Sequence, residues 1–147
     1  MILSSGSGHQ AYNNLIWNNA RGIVLSSPGA LVSNNTIVNN TKELSWSDGI
    51  GVYLKATAGV ILTNNIIYGN RIAILGSNAG VIQTNNLLNI DPGFVAEANQ
   101  DFHLQEGSPA IDAGVMLRSV LDDVDGVLRP QGARPDIGAY ESDASGR

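Results

Sequence analysis

The sequence has no cysteine, few aromatic residues and few charges. Without cysteine, disulfide bonds, thiolate metal sites and a cysteine nucleophile are excluded. Aromatic residues make up 5% of the 147 residues and charged residues 14%, with a formal net charge of -5. Lysine and arginine form no cluster of the kind that neutralises phosphates, so no nucleic-acid partner is expected. No apolar run reaches the length of a membrane span, and no signal peptide is visible at the start, Met1-Ile2-Leu3-Ser4-Ser5.

Charge and asparagine are distributed in opposite ways along the chain. Residues 1–90 contain six charged residues, whereas residues 91–147 contain fifteen, of which eleven are acidic. Fifteen of the sixteen asparagines lie before residue 91. The composition therefore indicates a neutral, asparagine-rich part followed by an acidic part.

An asparagine pair recurs at spacings of 21, 30 and 21 residues. The pairs are Asn13-Asn14, Asn34-Asn35, Asn64-Asn65 and Asn85-Asn86. Further columns in the same register are Gly8/Gly29/Gly59/Gly80, Ile16/Ile37/Ile67/Leu88 and Asn19/Asn40/Asn70/Asp91. The longer spacing comes from an insertion at 41–49. A period near 21 predicts a solenoid of four stacked coils.

The apolar runs within each repeat are three to five residues long and are broken by glycine, serine and asparagine. This pattern favours short strands over helices, about three per coil, with neighbouring coils roughly 4.8 Å apart. Stacking in register places like residues over like. The second asparagine of each pair is predicted to form a side-chain amide ladder: Asn14, Asn35, Asn65 and Asn86. The glycine column indicates a turn that needs positive φ or a close backbone approach.

These repeats resemble the right-handed parallel β-helix of the pectate-lyase-like superfamily, and the handedness is taken from that resemblance. The segments 91–114 and 123–141, the latter ending in IGAYE, resemble the C-terminal region of secreted bacterial β-helix proteins of the choice-of-anchor type. The resemblance implies a secreted or cell-surface protein, although only SDASGR follows IGAYE and no anchor is visible. We expect an all-β domain over 1–147. It comprises four coils in 1–91, an irregular last turn in 92–114 and an extension in 115–147 that folds back as a cap.

The resemblance also implies two kinds of chemistry, lyases with calcium and a lysine or arginine base, and hydrolases with clustered aspartates. Before Asp91 the only carboxylates are Glu43 and Asp48, both in the insertion, so no catalytic residue is assigned. The first hypothesis is a non-catalytic module for surface interaction or carbohydrate binding. The alternatives are a small or vestigial polysaccharide lyase or glycoside hydrolase, and a structural fragment of a longer adhesin-like protein. Lys55 and Arg71, two of the few cations on the coils, are candidate binding residues.

Four aromatic residues are candidates for stacking on sugar rings of a polysaccharide: Trp17, Trp46, Tyr53 and Tyr68. Trp17 and Tyr68 occupy one column, and the alternative is that both pack beneath the insertion or the extension.

Asp122, Asp123 and Asp125, followed by a glycine, resemble half of a calcium loop. Closure of a turn by aspartate is the favoured alternative, so calcium is a candidate and no cofactor is assigned. His103 alternates with apolar neighbours and is expected on the surface of a strand.

Alternation in the first strand of each coil predicts an outward apolar stripe, Ile2/Ile23/Tyr53/Ile74. The extension or a second subunit is expected to cover it. Coil one shows no cap, which predicts a homo-oligomer formed through that end, most simply a two-fold dimer.

Overall fold

The computed structural model describes residues 1–42, 48–55 and 58–143. Each of the four coils contributes one strand to each of three parallel sheets, as the repeat predicts. The first sheet contains β1 (Ile2–Leu3), β4 (Arg21–Leu25), β7 (Ile50–Leu54) and β10 (Ile72–Gly76). The second contains β2 (Gln10–Tyr12), β5 (Leu31–Ser33), β8 (Ile61–Thr63) and β11 (Ile82–Thr84). The third contains β3 (Leu15–Trp17), β6 (Thr36–Val38), β9 (Ile66–Tyr68) and β12 (Leu87–Leu88).

The asparagine pair sits at the turn from the second sheet to the third. The first asparagine of each pair has φ between 51° and 54°, a left-handed conformation that asparagine tolerates better than most residues. We call this set the outer asparagine column: Asn13, Asn34, Asn64 and Asn85. The second residue of each pair points into the solenoid, and this inner asparagine column consists of Asn14, Asn35, Asn65 and Asn86.

The inner asparagine column forms the predicted amide ladder. Each side-chain Nδ2 donates to the Oδ1 of the next coil, at 2.8 Å from Asn14 to Asn35 and at 2.9 Å for the two following steps. A second ladder runs from Asn19 through Asn40 to Asn70 at 3.1 and 3.0 Å. Asp91 does not continue it, because its Oδ1 accepts the N–H of Gly93. The glycine column is confirmed as a positive-φ turn, with φ from 68° to 78°.

The predicted stripe Ile2/Ile23/Tyr53/Ile74 is wrong in its membership. In the first sheet Val24 lies opposite Tyr53, and Tyr53 lies opposite Leu75. Ile23 and Ile74 both lie opposite Val52 and pack into the core. The reason is the turn between the first and second sheets, which is one residue longer in coils one and three than in coils two and four. Matched positions are seven residues apart from Leu3 to Gln10 and from Leu54 to Ile61, but six apart from Leu25 to Leu31 and from Gly76 to Ile82. A shift of one residue exchanges the two faces of a strand.

The core inside the solenoid is a column of aliphatic side chains from all three sheets. It includes Leu25 and Val52 from the first sheet, Val32 and Leu62 from the second and Ile37 from the third, all with 0% exposure. Burial of these aliphatic side chains stabilises the fold, to which the few charges and few aromatic residues can add little.

Apolar residues between Phe94 and Tyr140 pack against the outside of the third sheet. An antiparallel hairpin, β13 (Phe94–Ala96) and β14 (Asp101–Leu104), encloses a 3-10 turn at Glu97–Asn99. A second apolar cluster joins this hairpin and residues up to Tyr140 to the third sheet through Val38 and Ile66. The extension folds back on the side of the third sheet, so it does not cover the stripe that the sequence predicts on the first sheet. β11 in coil four is exposed at all three residues.

The outer asparagine column binds this returning segment. The hydrogen bonds run from the Nδ2 of Asn13 to Asp122 O at 2.8 Å, Asn34 to Asp136 O at 3.3 Å, Asn64 to Val115 O at 2.8 Å and Asn85 to Ala113 O at 2.8 Å. Each coil thus contributes one amide to hold the segment in place. Among the described residues, no helix is long and apolar enough to span a membrane.

Candidate functional site

The outer face of the first sheet carries the apolar residues that the second apolar cluster leaves uncovered. Its column is Ile2, Val24, Tyr53 and Leu75, one from each coil, and we call it the first-sheet face. Ile2 is 69% exposed, whereas Val24 is buried and Tyr53 and Leu75 are half-buried. A depression of about 500 Å³ borders this face, with Ile2, Val24 and Arg21 in its wall.

Tyr53 lies between two cations on this face. The guanidinium carbon of Arg21 is 5.9 Å from the centre of its ring, and the ammonium of Lys55 is 5.2 Å from it. Both distances are in the range of a cation–π interaction. The sequence alone does not reveal this grouping, because Arg21 and Tyr53 come together only once the coils are in register.

Asp48 anchors the same edge of the sheet. Its buried carboxylate is 3.1 Å from the guanidinium of Arg21, and its backbone carbonyl accepts hydrogen bonds from Arg71. Arg71 lies at the start of β10, whereas Lys55 follows the end of β7, so the structure does not bring these two candidates together. Arg71 therefore binds the backbone at the point where the chain leaves the insertion.

The other aromatic candidates lie elsewhere. Trp17 and Tyr68 are partly buried in the second apolar cluster on the third sheet, and the Trp17 ring is 6.2 Å from that of Phe102. Both therefore pack beneath the returning part of the chain, which is the alternative to stacking on a sugar. Trp46 lies outside the described residues.

The aspartates of the calcium-like motif do not converge. Asp123 closes the turn, since its Oδ1 accepts the N–H groups of Asp125 and Val127 at 2.8 Å. Its Oδ2 accepts the N–H of Glu141 at 2.8 Å. Asp122 contributes its backbone carbonyl to Asn13. Over residues 1–42, 48–55 and 58–143, no group of three or more histidine or carboxylate side chains is placed to hold a metal ion.

Asp125 instead takes part in a cluster that sequence reasoning missed. The ring of His103 lies between two carboxylates, with Nδ1 2.6 Å from Asp101 and Nε2 2.9 Å from Asp125, and it stacks on Tyr140 at 3.9 Å. Burial lowers the pKa of His103, but the hydrogen bonds to the two carboxylates outweigh burial and raise this pKa above its ordinary value. The same contact lowers the pKa of Asp101. The cluster joins β14 to the extension.

A buried ion pair holds the end of the extension. Arg129 and Glu141 are 2.9 Å apart, with side chains 1% and 0% exposed. Arg129 also donates to the backbone carbonyls of Asp136 and Gly138. Burial raises the pKa of Glu141 and lowers that of Arg129, so each charge depends on the other.

Comparison with known families gives the same architecture. Residues 1–88 match the family model described as a right handed beta helix region. No curated protein and no solved structure gives a significant match to the chain. The match spans all four coils and so fixes the handedness of the stack. The chain belongs to the right-handed β-helix family.

Proposed function

We propose that this β-helix is a non-catalytic module that binds an acidic polysaccharide along the first-sheet face. The observation that carries the proposal is the placement of the Tyr53 ring between the Arg21 guanidinium and the Lys55 ammonium. An aromatic ring beside apolar Val24 and Leu75 offers a flat surface for a sugar ring. The two cations favour a sugar that carries a carboxylate.

The surroundings of Tyr53 support binding rather than bond cleavage. Cleavage of a glycosidic bond commonly uses a pair of carboxyl groups, or a base beside a group that neutralises charge. Asp48 is the one carboxylate near this face within the described part of the chain, and it is already paired with Arg21. A lyase or hydrolase remains the alternative. A lyase would form an unsaturated product, measured by ultraviolet absorbance, and a hydrolase would release new reducing ends.

The site of action follows from the resemblance of the C-terminal segments. Their likeness to secreted bacterial β-helix proteins supports a role at or outside the cell surface, where polysaccharides are encountered. These segments pack on the third sheet, whereas Ile2, Tyr53 and Leu75 on the first-sheet face are at least partly exposed.

The test is calorimetric titration with an oligogalacturonate and with a neutral oligosaccharide of the same length. We expect binding of the acidic sugar that weakens with added salt, because exposed charges are screened. Tyr53→Ala and Lys55→Gln should each weaken it. Tyr12→Ala is the control, since Tyr12 is a tyrosine with 43% exposure that lies on the second sheet. Equal loss in the Tyr12 variant, or no binding by the unmodified protein, would overturn the proposal.

A further inference from the structure

Coil four brings the aliphatic core to the surface of the molecule. The inward columns are Ile23, Val52 and Ile74 in the first sheet, Val32, Leu62 and Gln83 in the second, and Ile37, Ile67 and Leu88 in the third. The members from coils two and three have 0% exposure, whereas Ile74 and Leu88 are half-buried and Gln83 is exposed. These three coil-four residues line a depression of about 400 Å³.

The three strands of coil four are also the last strands of their sheets. Among the described residues, β10, β11 and β12 each pair with a strand of coil three and with no other strand. The N–H groups of Ile82, Leu87 and Asn89 donate to coil three, at 2.8 to 3.0 Å. Backbone groups alternate in direction along a strand, so those of Gln83 and Leu88 face the open side. Strand edges of this kind can pair with strands of another molecule.

The surface at this end is apolar and uncharged. Residues 72–90 contain no charged side chain, although the chain as a whole has a net charge of -5. Ile82 and Ile90 are 56% and 52% exposed and add to the apolar area. The apolar residues that follow, between Phe94 and Tyr140, pack on the third sheet. Two copies of this chain can therefore meet at their coil-four ends without bringing like charges together.

We propose that two copies of this chain associate through their coil-four ends as a two-fold dimer. A partner that pairs with all three edges must itself present three strand edges around an apolar core, and the coil-four end of a second copy meets this condition. When two such ends face each other, their strands run in opposite directions around the core, so every pair across the contact is antiparallel. The contact is isologous and closes at two subunits.

The lengths of the strands select the alignment of the two ends. β10 has five residues, β11 has three and β12 has two. A two-fold axis through the middle of β10 pairs this strand with its own copy and pairs β11 with β12 of the other copy, so the lengths match to within one residue. Either other axis sets β10 against a strand of two or three residues. The middle residue of β10 is Ile74, which then lies beside the partner's Ile74.

This alignment joins the first sheets of the two copies. Because β10 belongs to the first sheet, eight strands, four from each copy, form one sheet across the contact. The first-sheet face is then continuous and contains a Tyr53 from each copy. The dimer does not depend on sugar binding, but a ligand long enough to reach both Tyr53 residues would bind with avidity.

Sedimentation velocity over a concentration series, without sugar, tests the association separately from the proposed function. We expect the unmodified protein to change from one subunit to two as concentration rises, and Gln83→Leu to do so at a lower concentration, because burying the amide costs free energy. Gln83→Glu places a carboxylate in the contact and should stay monomeric. Gln100→Glu makes the same change on an exposed residue of the hairpin and should associate normally. An unmodified protein that stays monomeric, or equal association of the two glutamate variants, would overturn the proposal.

A disulfide test locates the two-fold axis, because the chain has no cysteine of its own. Ile74→Cys places one cysteine from each copy in a directly opposed antiparallel pair, in which Cα atoms about 5.5 Å apart suit a disulfide. We expect mild oxidation to give a covalent dimer and reductant to reverse it. Tyr12→Cys lies on the second sheet in coil one and should not form this bond. No covalent dimer with Ile74→Cys, or an equal yield with Tyr12→Cys, would contradict the pairing of β10 with its copy.

Discussion

The ladder at Asn35 gives the sharpest test of what holds the coils together. Asn35 has 0% exposure, and its side chain makes five hydrogen bonds. It donates to the carbonyls of Ala11, Ser33 and Asn65, and it accepts the N–H and the amide of Asn14. Asn35→Leu keeps the volume of the side chain nearly constant and removes all five bonds at once. The change in the free energy of unfolding therefore measures the loss of hydrogen bonds rather than the creation of a cavity.

The expected loss of stability follows from the polar groups that the substitution leaves without hydrogen-bond partners. An unpaired buried donor or acceptor costs about 1–3 kcal/mol, and water can reach the groups near half-exposed Asn14, so we expect a total loss of about 3–5 kcal/mol. This is a large part of the roughly 5–15 kcal/mol that stabilises a typical domain. For a chain of this size, it corresponds to a fall in Tm of about 10–15 °C.

Asn14→Leu is the matched control, because Asn14 occupies the same column at the open end. Its side chain makes only two hydrogen bonds, to Tyr12 O and Asn35 Oδ1, in a half-exposed position. We expect a loss of about 1 kcal/mol. Urea denaturation followed by circular dichroism measures both free energies of unfolding, provided that the slopes agree. If the two losses differ by less than about 1 kcal/mol, burial of the ladder is not what makes it stabilising.

Three further predictions concern the extension. Because the pKa of His103 is raised in the folded state, its contacts stabilise fully below the ordinary value of 6.5 and are lost as pH rises through the raised pKa. Protease cleavage of the extension should increase over that window, and His103→Gln should remove the pH dependence. Arg129→Met should cost about 3–5 kcal/mol in urea denaturation by leaving Glu141 buried and unpaired, and adding Glu141→Gln should restore part of the loss. Asn64→Ala breaks two hydrogen bonds to Val115, so hydrogen exchange should accelerate at 113–117 while the coils keep their protection.

The sequence predicts the coils well because stacking repeats the same environment. Residues in one column meet their own copies, so a polar column such as Asn14, Asn35 and Asn65 must satisfy itself, and an aliphatic column must be the core. The spacing therefore predicts the asparagine ladder, the glycine turn and the three strands of each coil. Periodicity does not predict the length of the turn between the first and second sheets. That turn is one residue longer in coils one and three, so the outward column of the first sheet becomes Ile2, Val24, Tyr53 and Leu75.

The contacts of the acidic part are not periodic, and the sequence gives little guide to them. His103 meets Asp125 across 22 residues, and Asn13 meets Asp122 across 109. No repeat relates these positions, so alternation places His103 on the surface without showing its carboxylate partners. For the same reason, the row of aspartates resembles a metal loop in sequence, although Asp123 folds to bind backbone N–H groups.

The two residues of each asparagine pair make different contacts. The inner residue faces the core and binds the next coil, so it acts along the axis of the stack. The outer residue is left-handed at the turn and binds the returning segment, so it acts across that axis. The outer amides of Asn34 and Asn64 hold that segment against the third sheet. The pair thus joins the coils to one another along the stack and joins the returning segment to the third sheet.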